Sequence, residues 1–281
     1  MKIVLLGAGG QLGQALTRTC ADSELLIFKH EALDICQPEK LQKTLRELNP
    51  GLVINAAALT AVDDCERQEE RAFRVNAFAV RDLARICRET GSTLVHFSTD
   101  YVFDGQKTSP YTEEDLPHPL NVYGASKLAG ETYLREGLER HFLIRTSGLY
   151  GRGGNNFPET MLRMAEKGDP IRVVEDQVLA PTYCEDLARA VVKLLPTREY
   201  GLYHISNGGS CSWYRFAGEI FRLAGLDPVL EPISSEELGR PARRPAYSVL
   251  DNGKLTAVIG EELPAWDQAL ARYVSLREGP V

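Results

Sequence analysis

Ile3-Val4-Leu5-Leu6 runs directly into Gly7-Ala8-Gly9-Gly10-Gln11-Leu12-Gly13, and an amphipathic stretch follows to about Cys20. A short run that is apolar at every position suits a strand buried on both faces, as in a parallel sheet. Strand, glycine turn and helix in succession form the layout that cradles a pyrophosphate. The helix N-terminus offers free N–H groups, and glycines let the backbone come close. The spacing is G-x-x-G-x-x-G through Gly7, Gly10 and Gly13. The form G-x-G-x-x-G would need glycine at 12, which is Leu12. A tight turn without a ligand would use the same residues. The position between a strand and a helix favours dinucleotide binding, with Gly7, Gly10, Gln11, Leu12 and Gly13 as its first contacts.

The alternation continues. Strands are predicted at Leu25–Phe28, Leu52–Asn55, Thr93–Phe97 and Phe142–Thr146. Helices are predicted over 38–48, 66–89 (stopped by Gly91) and from about Asn121. Strands alternating with helices imply an α/β fold with a doubly wound parallel (Rossmann) sheet. Past Gly151 the pattern becomes irregular. Helices are expected near 157–166, 186–195 and 212–224, with shorter ones over 250–258 and 264–273. Strands are expected near 171–174 and 201–206. Residues 1–150 therefore read as the dinucleotide-binding domain. Residues 151–281 read mainly as a smaller α+β substrate lobe over the sheet ends, with some segments returning to the sheet.

The totals set bounds. A chain of 281 residues suits one large domain, or a large one with a smaller lobe. A net charge of −7 argues against nucleic-acid binding and against a polybasic membrane anchor. The apolar runs are too short to span a bilayer. Met1-Lys2 leads straight into the first strand, which is not the pattern of a signal peptide. The six cysteines are scattered with no C-x-x-C pair, so reduced thiols, a cytoplasmic location and no metal site are expected.

Tyr123-Gly124-Ala125-Ser126-Lys127 puts a tyrosine and a lysine one turn apart on a helix face. Tyrosine has an ordinary pKa of about 10, and a neighbouring ammonium lowers it toward the working range. The pair can then give a proton to a carbonyl oxygen or take one from an alcohol. Alone the spacing is weak, because a core tyrosine beside a solvated lysine looks the same. Ser98-Thr99-Asp100 ends the fourth strand, and ligands of open parallel sheets sit at such carboxyl ends. There Thr99 would donate to the reacting carbonyl oxygen. Asp100 would hold substrate hydroxyls or close an Asx-turn. Tyr101 would pack and line the cleft. Lys29 and His30 follow the second strand, where folds that prefer NAD often place an acid. They could meet a 2′-phosphate or be solvated, which favours NADPH and leaves NADH open. Asp34 and Ile35 would flank the adenine. Ala57, Ala58 and Thr60 follow the third strand, where small side chains admit a ligand. His96 and His204 read as core histidines. Asp63-Asp64 and Glu113-Glu114-Asp115 read as solvated loop charge.

Together these residues resemble the short-chain dehydrogenase/reductase superfamily, in its extended branch that modifies nucleotide sugars. Ser98-Thr99-Asp100-Tyr101-Val102-Phe103-Asp104-Gly105, Asp176-Gln177 with Ala180-Pro181-Thr182, Ser212-Trp213-Tyr214-Arg215-Phe216-Ala217 and Arg244-Pro245 extend the likeness to the dTDP-4-dehydrorhamnose reductases. The resemblance implies NAD(P)H-dependent reduction of the C4 ketone of a dTDP-sugar, the last step of dTDP-L-rhamnose synthesis. It implies Tyr123 as the acid, with Lys127, Gly10, Gln11, Leu12, Ala57, Ala58 and Thr60 on the cofactor. Thr99, Asp100, Tyr101 and Gln177 would lie on the sugar nucleotide, in a monomer or homodimer. Many members have tryptophan where this chain has Gly148. Some have a glutamate, tied to a magnesium-linked dimer, where this chain has Ala15; no such metal is expected. An epimerase or dehydratase of the same branch would keep the same Tyr and Lys, although no glutamate stands near Asp100 for a dehydratase. A catalytically silent NADP-binding regulatory subunit is the alternative outside enzymes.

Overall fold

The structure is a computed structural model that describes residues 2–21 and 23–277. Its centre is a six-stranded sheet of β1 (Ile3–Leu6), β2 (Leu25–Phe28), β3 (Leu52–Asn55), β4 (Thr93–Thr99), β5 (His141–Thr146) and β6 (Gly201–His204). The spatial order is β6-β5-β4-β3-β1-β2, and every pairing is parallel. The expected doubly wound sheet is present, and the chain returns to it late through β6.

Alternate side chains divide the sheet's two faces, as the strand period requires. Ile3, Leu5, Leu52, Ile54, Val95, Phe97, Phe142 and Ile144 face the helices Gln11–Thr19 and Cys184–Leu194. Val4, Leu6, Val53, Leu94 and Leu143 face Pro38–Leu48, Ala79–Thr90 and Val122–Gly137. Burial on both faces explains why β1 and β3 carry no polar residue before Asn55. β2 lies at the sheet edge and leaves Ile27 49% exposed.

A third core joins residues beyond the first five strands. Tyr150, Met161, Ile171, Phe216, Trp266 and Tyr273 pack together. Three small pairings support them: Leu149–Tyr150 with Thr182–Tyr183, Ile171–Val174 with Leu230–Ile233, and Val178–Leu179 with Cys211–Ser212. Among the described residues, no helix is long and apolar enough to cross a membrane.

The single helix expected over 66–89 is broken. Val62–Arg67 and Glu69–Phe73 are separate helices; Arg74–Phe78 is a π-turn, and Ala79–Thr90 resumes the α-helix. Asn76 lies in that π-turn. Its Oδ1 accepts from Leu59 N at 2.9 Å, while Nδ2 donates to Leu59 O at 3.0 Å and Ser126 Oγ at 3.0 Å. The widened turn lets a buried amide tie the loop after β3 to the helix carrying Tyr123, a use in keeping with π-bulges near functional sites.

Candidate active site

In the order β2-β1-β3, the sheet reverses its winding between β1 and β3, and ligands of such sheets bind above that point. A cavity of about 530 Å³ opens there. Gly7, Gly9, Gly10, Lys29, His30, Asp34, Ile35, Ala57 and Ala58 line it. The three spaced glycines do different work. Gly7 has φ +77°, and an added Cβ would stand 2.5 Å from Ala57 N. At Gly13 a Cβ would stand 2.3 Å from Gly7 O. These two set the turn and seat the helix. A Cβ at Gly10 would meet nothing nearer than Gly7 O at 3.6 Å, so this glycine fronts open space. The helix Gln11–Thr19 starts next to it with no side-chain cap, leaving its first N–H groups free for an anion.

Other expected cofactor residues are placed differently. The Leu12 side chain belongs to the core, and Gln11 Nε2 is committed to Leu149 O at 3.0 Å. Thr60 is exposed and not part of the cavity lining. Asp34 Oδ1 accepts from Cys36 N at 2.9 Å, which closes a turn. Arg71 and Arg74 also line the cavity. The sequence hid them because an unbroken helix over 66–89 gives no reason to aim these arginines at the end of β2.

Tyr123 stands on the first turn of Val122–Gly137. Asn121 caps that helix by accepting from Gly124 N at 2.8 Å. The helix crosses the end of β4 closely, and a Cβ at Gly124 would stand 2.2 Å from Tyr101 O. This crossing brings Tyr123 to Thr99, the last residue of β4. Burial raises the Tyr123 pKa, and the neighbouring Thr99 hydroxyl offsets only part of that rise. The nearby Asp100 carboxyl pushes it further up. Tyr101 packs edge-on, with ring centroids 5.9 Å apart.

Lys127 is 1% exposed. Its Nζ donates to Phe97 O at 2.6 Å and lies 3.4 Å from His96 Nε2. Burial lowers its pKa to about 8, against the pull of Glu131. The lysine is thus held from below by β4, through Phe97 O.

Asp100 is 3% exposed and is spent on hydroxyls. Ser248 Oγ donates to it at 2.6 Å, Ser147 Oγ at 2.8 Å and Thr99 Oγ1 at 3.0 Å. Burial raises its pKa to about 6, with the three hydroxyls opposing. A carboxyl whose folded pKa exceeds its unfolded value loses stability as pH climbs through the interval between them. Ser248→Ala raises the folded value further. The expected loss is about 1.5–3 kcal/mol at pH 8, where the carboxylate is charged, and much less at pH 4. Urea unfolding at the two pH values checks this; equal losses would contradict it.

A second cavity, of about 370 Å³, is lined by Asp176, Gln177, Ser235, Arg240, Arg243 and Arg244 among others. Gln177 Nε2 donates to Ser235 Oγ at 2.8 Å. The Arg244 guanidinium also acts to lower the Tyr101 pKa, against the larger rise from burial, and Tyr101 packs against Tyr123. Asp63 was expected to be solvated. Instead it holds Arg244 through both oxygens, at 3.2 and 3.1 Å, and accepts from Ala242 N. Glu113 likewise leaves the solvent and accepts from His204 N at 2.8 Å. Only folding brings positions 63 and 244 together. His96 and His204 are buried, as expected.

Gly148 has φ +52°, and a Cβ there would stand 2.6 Å from Leu179 Cδ1. Leu179 and Pro181 occupy the space beside it, so a tryptophan would not fit without displacing them. Ala15 is fully buried between Gln11–Thr19 and the sheet. Among the described residues, no group of three or more His, Cys, Asp or Glu side chains is placed to hold a metal.

Comparison with known proteins agrees with this geometry. The family described as "RmlD substrate binding domain" matches residues 1–278. The spore coat polysaccharide biosynthesis protein SpsK of Bacillus subtilis (strain 168) is 40% identical over 278 residues, covering 98% of each chain. A dTDP-4-dehydrorhamnose reductase of Escherichia coli (strain K12) is 38% identical over 291 residues, covering 98% of this chain and 97% of its own. The crystal structure of dTDP-4-dehydrorhamnose reductase from Bacillus anthracis str. Ames in complex with NADP superposes with a TM-score of 0.95. It is 39% identical and covers 98% of this chain and 100% of that one.

Proposed function

The chain belongs to the dTDP-4-dehydrorhamnose reductase family of NAD(P)H-dependent oxidoreductases, and on that premise we propose that it reduces the C4 ketone of dTDP-4-dehydro-L-rhamnose to dTDP-L-rhamnose. The observation that carries this reading is the place of Tyr123, which the close crossing of its helix at Gly124 brings to the strand end bearing Thr99 and Tyr101. Lys127, His96, Asn55 and Ala57 link the helix that carries Tyr123 to the glycine-turn cavity, and Tyr101 packs edge-on against Tyr123.

The residues present fit the dinucleotide. Gly10 fronts open space, the helix after it is uncapped, and Lys29, His30, Arg71 and Arg74 surround the same cavity. When bound, NADPH supplies the hydride. Tyr123 gives its proton to the sugar O4 as that oxygen becomes an alkoxide, so ketone, hydride and proton sum to the alcohol. Thr99 donates to the same oxygen, turning its hydroxyl away from Asp100. Lys127 holds the nicotinamide ribose and favours the Tyr123 phenolate left behind. Gln177 and the arginines beside it hold the nucleotide of the substrate. Residues 1–150 thus serve mainly the dinucleotide and 151–281 mainly the sugar, in a cytoplasmic enzyme.

Lys29, Arg71 and Arg74, three cationic side chains on one cavity, favour NADPH over NADH. Replacing Lys29 and Arg74 together by alanine should raise the KM for NADPH about tenfold or more, because each can make a charge-assisted bond to a 2′-phosphate. The KM for NADH should barely move. Steady-state kinetics with both cofactors tests this, and equal losses for the two would remove the 2′-phosphate assignment.

A further inference from the structure

Asn55, His96 and Lys127 form a buried chain beneath Tyr123. Asn55 is 1% exposed, His96 1% and Lys127 1%. Asn55 and His96 stand level with each other on the paired strands β3 and β4. The order of donors along the chain follows from its first link. Ala57 N donates to Asn55 Oδ1 at 3.1 Å, and a backbone N–H can only donate. That bond fixes the amide, so its NH₂ faces His96 Nδ1 at 3.1 Å. An NH₂ group also only donates, so Nδ1 must be the bare nitrogen of the ring. Burial and Lys127 both disfavour the imidazolium, so the ring is neutral and holds one N–H. That N–H lies on Nε2, 3.4 Å from Lys127 Nζ.

The final contact therefore sets a ring donor against the lysine. An amine has a lone pair to accept it; an ammonium has none. We infer that Asn55 and His96 are positioning residues for the reduction, which lock the ring as its Nε2–H tautomer and bias Lys127 toward the amine. The other charged group near Lys127 is Glu131, one turn along the helix. Its carboxylate is engaged by Arg145 Nη2 at 2.6 Å and Ser98 Oγ at 2.5 Å, which limits its support for an ammonium. The result is a lysine whose proton is exchangeable in the working pH range, directly below the proposed acid. This inference shares its site with the reductase reading, and its effect on catalysis rests on Lys127 serving the cofactor. The tautomer itself needs no turnover.

The test is ¹⁵N NMR of the histidine rings in the full-length, cofactor-free protein between pH 6 and 10. His96 should show a bare Nδ1 and a protonated Nε2 throughout. Protonation at Nδ1 would overturn the inference. Asn55→Asp offers only acceptors, so it should reverse the tautomer and present a lone pair to Lys127. His96→Phe removes the donor without adding charge. In both variants the pH midpoint for loss of NADPH binding on the alkaline side should rise by about one unit. A midpoint that stays put in both would overturn the coupling to Lys127, even with the tautomer as inferred. Failure to reduce the sugar, by contrast, would leave the tautomer result intact.

Discussion

Tyr123→Phe should lower kcat by about 10²–10⁴-fold, the range supplied by a positioned general acid. The phenyl ring keeps the edge-on packing against Tyr101, at 5.9 Å, so the helix and the strand end should not move. What disappears is one hydroxyl beside the end of β4. Dissociation constants for NADPH should therefore stay close to the parent value, and the loss should lie in turnover. Single-turnover NADPH oxidation, with cofactor binding measured separately, distinguishes the two. A variant that keeps more than about a tenth of the parent rate would move the proton donor elsewhere, with Thr99 the next residue to test.

Glu131→Ala should cost about 3–5 kcal/mol of folding stability. Both partners of the Glu131–Arg145 pair are 1% exposed. Arg145 Nη2 and Nε lie 2.6 and 2.9 Å from the carboxylate, and Ser98 Oγ adds a third contact at 2.5 Å. Removing the acid strands a buried guanidinium on β5, beside Phe103 and the neutral His204. Burial and Arg145 hold His204 at a pKa of about 3, so it cannot add charge of its own near neutrality. Replacing Glu131 and Arg145 together by leucine should recover much of the loss, because the guanidinium is then no longer buried without its carboxylate. Denaturant unfolding of the two single variants and the double one checks this. A loss below about 1 kcal/mol for Glu131→Ala would show that the pair is not the buried anchor described.

What the sequence made legible follows from periodicity and from close approach. β1 is apolar throughout and β3 is apolar up to Asn55 because both faces are covered, and that pattern needs no partner to be read. Gly7 and Gly13 mark places where backbone meets backbone, and no other residue fits. Tyr123 and Lys127 share a helix face whatever surrounds them. The hidden features depend on contacts across long separations. Asp63 looked like loop charge because its partner Arg244 lies 181 residues later. Arg71 and Arg74 line the glycine-turn cavity from a segment broken into a short helix and a π-turn, which helical spacing over 66–89 does not foretell. Lys127 was read as the neighbour that activates Tyr123. The structure shows it first as a donor to Phe97 O, because a buried Nζ must find an acceptor.

The most direct test is NADPH oxidation by the purified chain with freshly made dTDP-4-dehydro-L-rhamnose, with the product identified by NMR. The account predicts sugar-dependent oxidation yielding dTDP-L-rhamnose, one NADPH consumed per sugar. Tight NADPH binding without oxidation, or oxidation giving a different sugar nucleotide, would contradict it.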